Sequence, residues 1–465
     1  MRILLMQNHN REAQMVNTAL ATEMEKVRGE FPPLGLMYLA SMLRQERNDD
    51  VEILDNYVEN LSAGVLREVI KAKQPDLVGI STMTPTFKSA LLAAKVAKES
   101  GAPVVMGGPQ LSIYPQETLS HDCIDFGIIG EGEHAIVELV DALDSGRDPS
   151  GVRGLAYKSN GKVLLNPAAM EDDIDALPFP ARDLINQNMY SSAVALDPMT
   201  TMISSRGCPF HCGFCAKFPW DDKVRFRSAK LVVDEIEHVV KQYGVREVMF
   251  YDTVMTLDKQ RMTEICDEII RRAIKIKWET PTRVDLVDPE LLSKMAKSGC
   301  ARLRFGVESG VPSVLKLMRK GISIEQIRTA FRWTQEAGIE AFAYFMIGYP
   351  TESVQTIKET IRFAISLKPD MAMFTATVAH PHTHLYELAL QHGLVKGDYW
   401  REFTLGNTDQ KLPFFVEDAD RWAKKAYKAF YLRPSFIAER LTKMRSWQDI
   451  RKAVSAGIML IRMKH

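Results

Sequence analysis

Three cysteines stand within eight residues of a 465-residue chain: Cys208, Cys212 and Cys215, in the run Ser205-Arg206-Gly207-Cys208-Pro209-Phe210-His211-Cys212-Gly213-Phe214-Cys215. Three thiolates on one short loop can converge on a single inorganic centre. A structural zinc ion is normally closed by four ligands in paired spacings, and no second Cys pair or His pair completes that set here. A cubane iron–sulfur cluster held by three cysteines keeps one iron without a protein ligand, where a small molecule can bind and be reduced. The other cysteines, Cys123, Cys266 and Cys300, are scattered, and six in all are too few for a disulfide scaffold. Cys300 enters a predicted strand and reads as a buried small hydrophobe rather than a thiyl site. His380-Pro381-His382-Thr383-His384 is the second group of ligand-type residues. In an extended strand its three imidazoles, at i, i+2 and i+4, would share one face, as a metal site or as histidines of a substrate pocket.

The elements around the cysteines decide what they face. The loop follows directly after a predicted strand, Thr200–Ser204. Further strands are expected at Glu247–Asp252, Trp278–Val284, Ala301–Glu308, Ile339–Ile347 and Asp370–Val378. Helices are expected between them at Lys230–Tyr243, Asp258–Ala273, Pro289–Ser298, Ile324–Ala337 and Ser353–Leu367. Six βα units in a row predict a closed or partial parallel barrel. The first 145 residues form a separate βα series, with strands at Arg2–Met6, Val51–Leu54, Leu77–Ser81, Val104–Met106 and Phe126–Ile129 and helices at Pro33–Arg47, Thr86–Ser100 and His134–Leu143. That alternation predicts a doubly wound, Rossmann-like parallel sheet. Its strands run into Ile80-Ser81-Thr82, Gly107-Gly108-Pro109 and Gly130-Glu131-Gly132, at the carboxyl edge where open sheets bind ligands. No G-x-G-x-x-G follows the first strand. The Gly- and Pro-rich stretch 146–197 reads as an interdomain segment with a hairpin at Asn160-Gly161. The expected division is therefore 1–145, 146–197, a barrel over 198–400, and a basic helical region over 401–465.

C-x3-C-x2-C after the first strand of a partial βα barrel resembles the radical S-adenosylmethionine (SAM) enzymes, over residues 198 to about 390. The resemblance implies a 4Fe–4S cluster on Cys208, Cys212 and Cys215, with SAM chelating the fourth iron and cleaved to a 5′-deoxyadenosyl radical. Phe214 matches the aromatic position that packs near the adenine. Arg302-Leu303-Arg304-Phe305-Gly306-Val307-Glu308-Ser309-Gly310 has the form of the family's fourth strand, and the resemblance implies Glu308, at its carboxyl end, as a candidate SAM contact. Phe345-Met346-Ile347-Gly348-Tyr349-Pro350-Thr351-Glu352 is similar to its fifth-strand segment, and Arg283 ends the third strand where it could meet the SAM carboxylate. At 383–386, Thr-His-Leu-Tyr fits a turn that relatives place there.

A doubly wound domain before such a barrel, with Pro32-Pro33-Leu34-Gly35-Leu36, Gly107-Gly108-Pro109 and Gly130-Glu131-Gly132-Glu133, resembles the cobalamin-binding subclass over residues 1 to about 400. Ser81, Thr82, Gly107, Gly108, Gly130, Glu131 and Gly132 are the implied cobalamin-pocket residues. D-x-H-x-x-G does not occur, so no histidine is placed to ligate cobalt from below. Two activities follow from the resemblance: methylation of an unactivated carbon by way of cobalamin, or oxidative cyclisation as in the anaerobic magnesium-protoporphyrin monomethyl ester cyclase group. A non-catalytic corrinoid or cluster carrier, and a zinc-dependent binding module, are the readings from other classes.

Composition agrees with a globular protein of two to four domains: 46% of residues are hydrophobic and 25% charged. With 59 Lys+Arg against 59 Asp+Glu, the neutral chain has no global electrostatic reason to bind nucleic acid. No run reaches the roughly 18 apolar residues of a membrane span, and Met1–Met6 is too short for a signal peptide, so a cytoplasmic address is expected. The charge is nevertheless uneven. Residues 421–465 hold twelve Lys/Arg against Glu439 and Asp449, with six large aromatics and helical periodicity on both sides of Pro434. That region is expected to be a solvated helical cap or a surface for an anionic substrate or membrane leaflet. The partners expected are a small-molecule substrate and an electron donor such as flavodoxin or ferredoxin.

Overall fold

The computed structural model describes residues 1–8, 29–192 and 194–443; the basic tail beyond Lys443 lies outside them. The chain forms two compact units. The first holds the N-terminal strand, Pro32–Tyr190 and Lys396–Lys411; the second holds Ser191–Val395 and the chain from Leu412.

In the first unit, β1 (Arg2–Gln7), β2 (Asp50–Asp55), β3 (Leu77–Ser81), β4 (Val104–Gly107) and β5 (Phe126–Ile128) pair in parallel, in the order β2-β1-β3-β4-β5. Strands covered on both faces must be apolar throughout, and Leu77, Val78 and Ile80 of β3 are 0–2% exposed. Helices α1 (Leu34–Arg47), α2 (Ala63–Lys73), α3 (Phe87–Lys98) and α4 (Glu133–Asp144) return the chain between parallel strands or follow the last of them. The core gathers Leu36, Ala40 and Leu43 of α1 with Ile3, Leu5, Val105, Ile136 and Leu139. Within 146–197, β6 (Leu155–Ser159) and β7 (Lys162–Leu165) extend this sheet as an antiparallel hairpin. Asn160 and Gly161 both take positive φ (50° and 74°), as a two-residue primed turn requires. Lys396–Lys411 is fastened to the same unit: Tyr114 donates to Asp398 (2.8 Å) and Gln110 to the Thr404 hydroxyl (3.0 Å).

The second unit is built on a six-stranded parallel sheet in chain order, β8 (Met199–Met202), β11 (Glu247–Phe250), β12 (Lys277–Thr282), β13 (Cys300–Glu308), β14 (Glu340–Ile347) and β15 (Met371–Ala376), with the short pair β9 (Ser205–Arg206) and β10 (Arg225–Phe226) beside it in sequence. Each strand pairs with the next and β8 and β15 are the two edges, so the six strands make an open, partial barrel sheet. Helices α5 (Ala229–Tyr243), α6 (Lys259–Arg271), α7 (Pro289–Lys297), α8 (Ile324–Glu336) and α9 (Val354–Leu367) form the crossovers. Each begins where sequence chemistry says it should: Ser228, Asp258, Asp288, Ser323 and Ser353 cap the first turns by accepting from backbone N–H groups. Near the strands' amino ends, Arg302 donates to Glu279 (2.7 Å), and Arg304 and Glu247 join the same buried network. The carboxyl ends carry the cysteine loop and the residues around it.

Candidate active site

The cysteine loop is closed on itself before any cofactor is considered. β9 (Ser205–Arg206) pairs antiparallel with β10 (Arg225–Phe226), and the Cys208 N–H donates to Asp221 O (2.7 Å). Gly207 makes that closure possible at φ 95°, where a Cβ would stand 2.7 Å from Lys223 O and 2.8 Å from Asp221 O. Asp252, just past β11 and 2% exposed, holds the loop's root. It accepts from the Ser204 N–H (2.9 Å), the Ser204 hydroxyl (2.7 Å) and the Ser205 hydroxyl. Burial pushes its carboxyl above the ordinary aspartate range, and these donors oppose the shift. Deeper in the loop, Gly213 donates to Met318 O and accepts from the Leu385 N–H, both at 2.8 Å.

Phe214, Arg283 and Glu308 converge there on a residue that sequence reading did not single out. Lys320 donates to Glu308 Oε1 (2.9 Å), with side chains only 8% and 9% exposed, and its ammonium lies 5.6 Å from the Phe214 ring centroid. Its carbonyl accepts from Arg283 Nη2 (3.0 Å). The Arg283 guanidinium stands 3.7 Å over the Phe210 ring, engages Asp285, and brings Nη1 to 4.0 Å from Cys212 Sγ. Burial raises the Cys212 thiol above its ordinary range, while the nearby Lys320 and Arg283 cations oppose that shift. Glu308 takes a left-handed backbone, φ 67°, a conformation costly for a non-glycine residue. Gly306 leaves the ion pair room, since a Cβ there would lie 2.4 Å from Glu308 Oε1 and 2.7 Å from Lys320 Nζ. Lys320 follows Glu308 by twelve residues in Met318-Arg319-Lys320-Gly321, and nothing local distinguishes it from the surface lysine Lys316.

The histidine run is not a strand face. β15 ends at Ala376, Thr383 caps the helix His384–Gln391 by accepting from the Tyr386 N–H, and His382 sits in a turn at φ 58°. His382 packs on Phe218 (centroids 5.7 Å apart), His384 engages Arg319 (3.1 Å) and Glu387 (2.9 Å), and burial lowers the His380 imidazole. Among the described residues no three His, Cys, Asp or Glu side chains are gathered to hold a single metal ion. A cubane takes each thiolate to a separate iron, so Cys208, Cys212 and Cys215 need not meet around one point. Cys300 is buried in β13 and burial pushes its thiol far up, in keeping with a packing role.

In the first unit the implied cobalamin residues fall into two sets. Ser81 and Gly107 are paired across β3 and β4, the Thr82 N–H donates to Gly107 O (3.0 Å), and Gly108 abuts both strands' ends. At φ 93° a Gly108 Cβ would lie 2.6 Å from Thr82 O, whereas a Cβ on Gly107 would meet nothing within 4 Å. A bare strand end with open space before it suits the close approach of a large planar cofactor. Gly130, Glu131 and Gly132 are engaged differently. The Glu131 N–H donates to Ala169 O (2.9 Å), its carboxylate accepts from the Glu171 N–H (2.7 Å), and Gly132 precedes α4.

The B12 binding domain pattern matches residues 22–140, and the radical SAM superfamily pattern matches residues 202–364. An "uncharacterized methyltransferase" of Pyrococcus horikoshii is 36% identical over 412 residues, 87% of this chain and 89% of that protein. The anaerobic magnesium-protoporphyrin IX monomethyl ester cyclase of Rubrivivax gelatinosus is 30% identical over 90% of this chain and 77% of its own. The solved structure of the radical SAM methyltransferase TsrM from Kitasatospora setae, with cobalamin and a 4Fe–4S cluster bound, shares the fold. Its TM-score is 0.73 at 19% identity, over 98% of this chain and 99% of that one. The chain belongs to the cobalamin-binding radical SAM enzymes. The cofactors of that class are a 4Fe–4S cluster, SAM and cobalamin.

Proposed function

We propose that this enzyme is a cobalamin-dependent methyltransferase acting on an unactivated carbon of a small-molecule or lipid-like substrate. The observation that carries the reading is the buried constellation beside Cys212, where Arg283, Lys320, Glu308 and Phe214 present two cations, a carboxylate and a ring within one contact network. The 36% identity to a protein named as a methyltransferase supports the choice of reaction. When bound, the cluster and SAM supply a 5′-deoxyadenosyl radical, and cobalamin supplies a carrier for the methyl group. The chain's residues do the positioning. Cys208, Cys212 and Cys215 hold the cluster. Arg283 and Lys320 place positive charge where a carboxylate can be received, Glu308 offers an acceptor for hydroxyl or amino groups, and Phe214 offers a face for the adenine. In the first unit, Ser81, Thr82, Gly107 and Gly108 offer backbone and hydroxyl groups to cobalamin, and Gly130, Glu131 and Gly132 shape the neighbouring turn. A low-potential donor such as flavodoxin or ferredoxin and a cytoplasmic address complete the reading.

A second reading, oxidative cyclisation of a tetrapyrrole-like substrate, rests on the 30% identity to the Rubrivivax gelatinosus cyclase. One experiment separates the two. The chain is reconstituted without oxygen and given cobalamin, SAM and a strong reductant, and S-adenosylhomocysteine is quantified against 5′-deoxyadenosine. Both products are expected of the methyltransferase; 5′-deoxyadenosine alone favours the cyclase.

A further inference from the structure

The positive charge of the C-terminal region is absorbed by none of the chemistry above. Residues 421–465 carry +10, and because the whole chain is neutral the other 420 residues carry −10. Charge segregated to this degree is a local field, not a global one. Leu432 is 40% and Ile437 46% exposed, one on each side of Arg433-Pro434, in a stretch that also holds Phe430, Tyr431 and Phe436. Two cations stand beside the half-buried Trp422 ring, Lys425 at 4.1 Å from its centroid and Lys358 of α9 at 5.9 Å, while Arg433 covers the buried Phe430 at 4.4 Å and donates to Phe430 O and Ile365 O. Long cationic side chains laid over apolar bodies, with aliphatic groups beside them, are what a headgroup boundary selects.

The sequence continues the pattern. Ile437, Leu441, Met444, Trp447, Ile450, Val454, Ile458 and Ile461 recur at three- and four-residue intervals, with Arg440, Lys443, Arg445, Arg451, Lys452, Arg462 and Lys464 between them. An apolar stripe at this spacing could instead pair with a second copy, but two +10 tails repel each other. A nucleic-acid segment would need the charge and the rings but not eight residues of aliphatic-rich stripe. Among the described residues no helix is long and apolar enough to cross a membrane.

We propose that this C-terminal region docks the enzyme on an anionic lipid surface, with Leu432 and Ile437 entering the headgroup boundary and Trp422, Lys425, Lys358 and Arg433 lying at it. The test is sedimentation of the cofactor-loaded full chain with vesicles of phosphatidylcholine, or of phosphatidylcholine with phosphatidylglycerol. Binding to the phosphatidylglycerol vesicles alone is expected, lost as salt approaches about 1 M, where the screening length falls to about 3 Å. Lys425→Ala should weaken it about fivefold, since a basic group near such a surface contributes about 1 kcal/mol. Leu432→Ser with Ile437→Ser, which keeps every charge, should weaken it by at least tenfold while SAM cleavage in solution is unchanged. Four outcomes overturn the proposal: no binding to either vesicle, equal binding to both, an unaltered affinity in the double serine variant, or salt-sensitive binding to polyuridylate with none to vesicles.

Discussion

The ligand edges of the two units are built from opposite materials. In the second unit the carboxyl ends of the strands carry buried charge: Arg283 after β12, Glu308 at the end of β13, and Lys320 beyond it, beside three thiols. In the first unit the matching edge is nearly bare of charge between β3 and β4, where Ser81, Thr82, Gly107 and Gly108 offer backbone and hydroxyls. Under the proposed assignment of SAM to the second unit's edge and cobalamin to the first unit's, the contrast follows from ligand size. A small zwitterion must be fixed by groups that counter each of its charges, and those groups must already be held in place, because an unpaired buried charge is expensive. A broad, largely uncharged ring is received by removing side chains so that backbone can approach it.

The strongest break of the comparison is at the thiolates. Cys212→Ala should lose both the visible absorbance of the reconstituted cluster and SAM cleavage, while cobalamin retention, a property of the first unit, is unchanged. A variant that kept full absorbance and cleavage would remove Cys212 from the site. Next in size is Lys320→Met, which leaves the Glu308 carboxyl buried without its cation, at about 3–5 kcal/mol. The cluster should still assemble, but SAM should no longer perturb the electron paramagnetic resonance signal of the reduced cluster, and Lys320→Arg should restore part of that response. Gly306→Ala should act in the same direction, because its Cβ meets both partners of the pair.

In the first unit, Gly108→Ala forces a side chain into φ 93°, ψ −178°, which costs about 1–3 kcal/mol. Cobalamin retained through gel filtration should fall, with SAM binding to the second unit unaltered. Equal loss at both sites would erase the distinction drawn between them.

A further test concerns Glu352, whose carboxyl accepts from the Gly348 and Tyr349 N–H groups (2.8 and 2.9 Å) and is pushed by burial up to about 7. A carboxyl raised in the folded state favours folding in its protonated form. Its stabilising effect is therefore complete below the unfolded value of about 4.5 and is lost as pH rises to about 7. Glu352→Gln should unfold at a temperature that gains on the parent between about pH 5 and 7 and runs parallel above it. A constant difference across that range would show that Glu352 does not titrate there.

The extent to which these features were legible in the sequence depends on how far apart their parts lie. β1, β3, β4 and β13 were expected to within a residue or two, because apolar strands and capped amphipathic helices declare themselves locally. Asn160-Gly161 specified its own turn. The cysteine spacing points to a cluster because the three proposed ligands stand on one loop. Phe214, Arg283 and Glu308 were reached through family resemblance, each from its own short motif. Lys320 was not reached, because only the fold of β13 and the turn after it carries its ammonium back to Glu308. Asp252 was read as a strand end, and its grip on Ser204 and Ser205 spans 48 and 47 residues. For the three histidines the sequence offers both a strand face and a turn at 383–386, and the fold takes the turn, with Thr383 as a helix cap.

The sequence alone determined the two βα series, the close spacing of the three cysteines and the charge of the tail, since hydrophobic period, residue spacing and net charge are properties of the chain itself. Only the tertiary structure decided which cation holds Glu308, which carboxylate anchors the cysteine loop, and that Lys396–Lys411 joins the first unit. Those pairings depend on which distant segments packing brings to the same strand end, and a buried charge is tolerated only where packing has already delivered its partner.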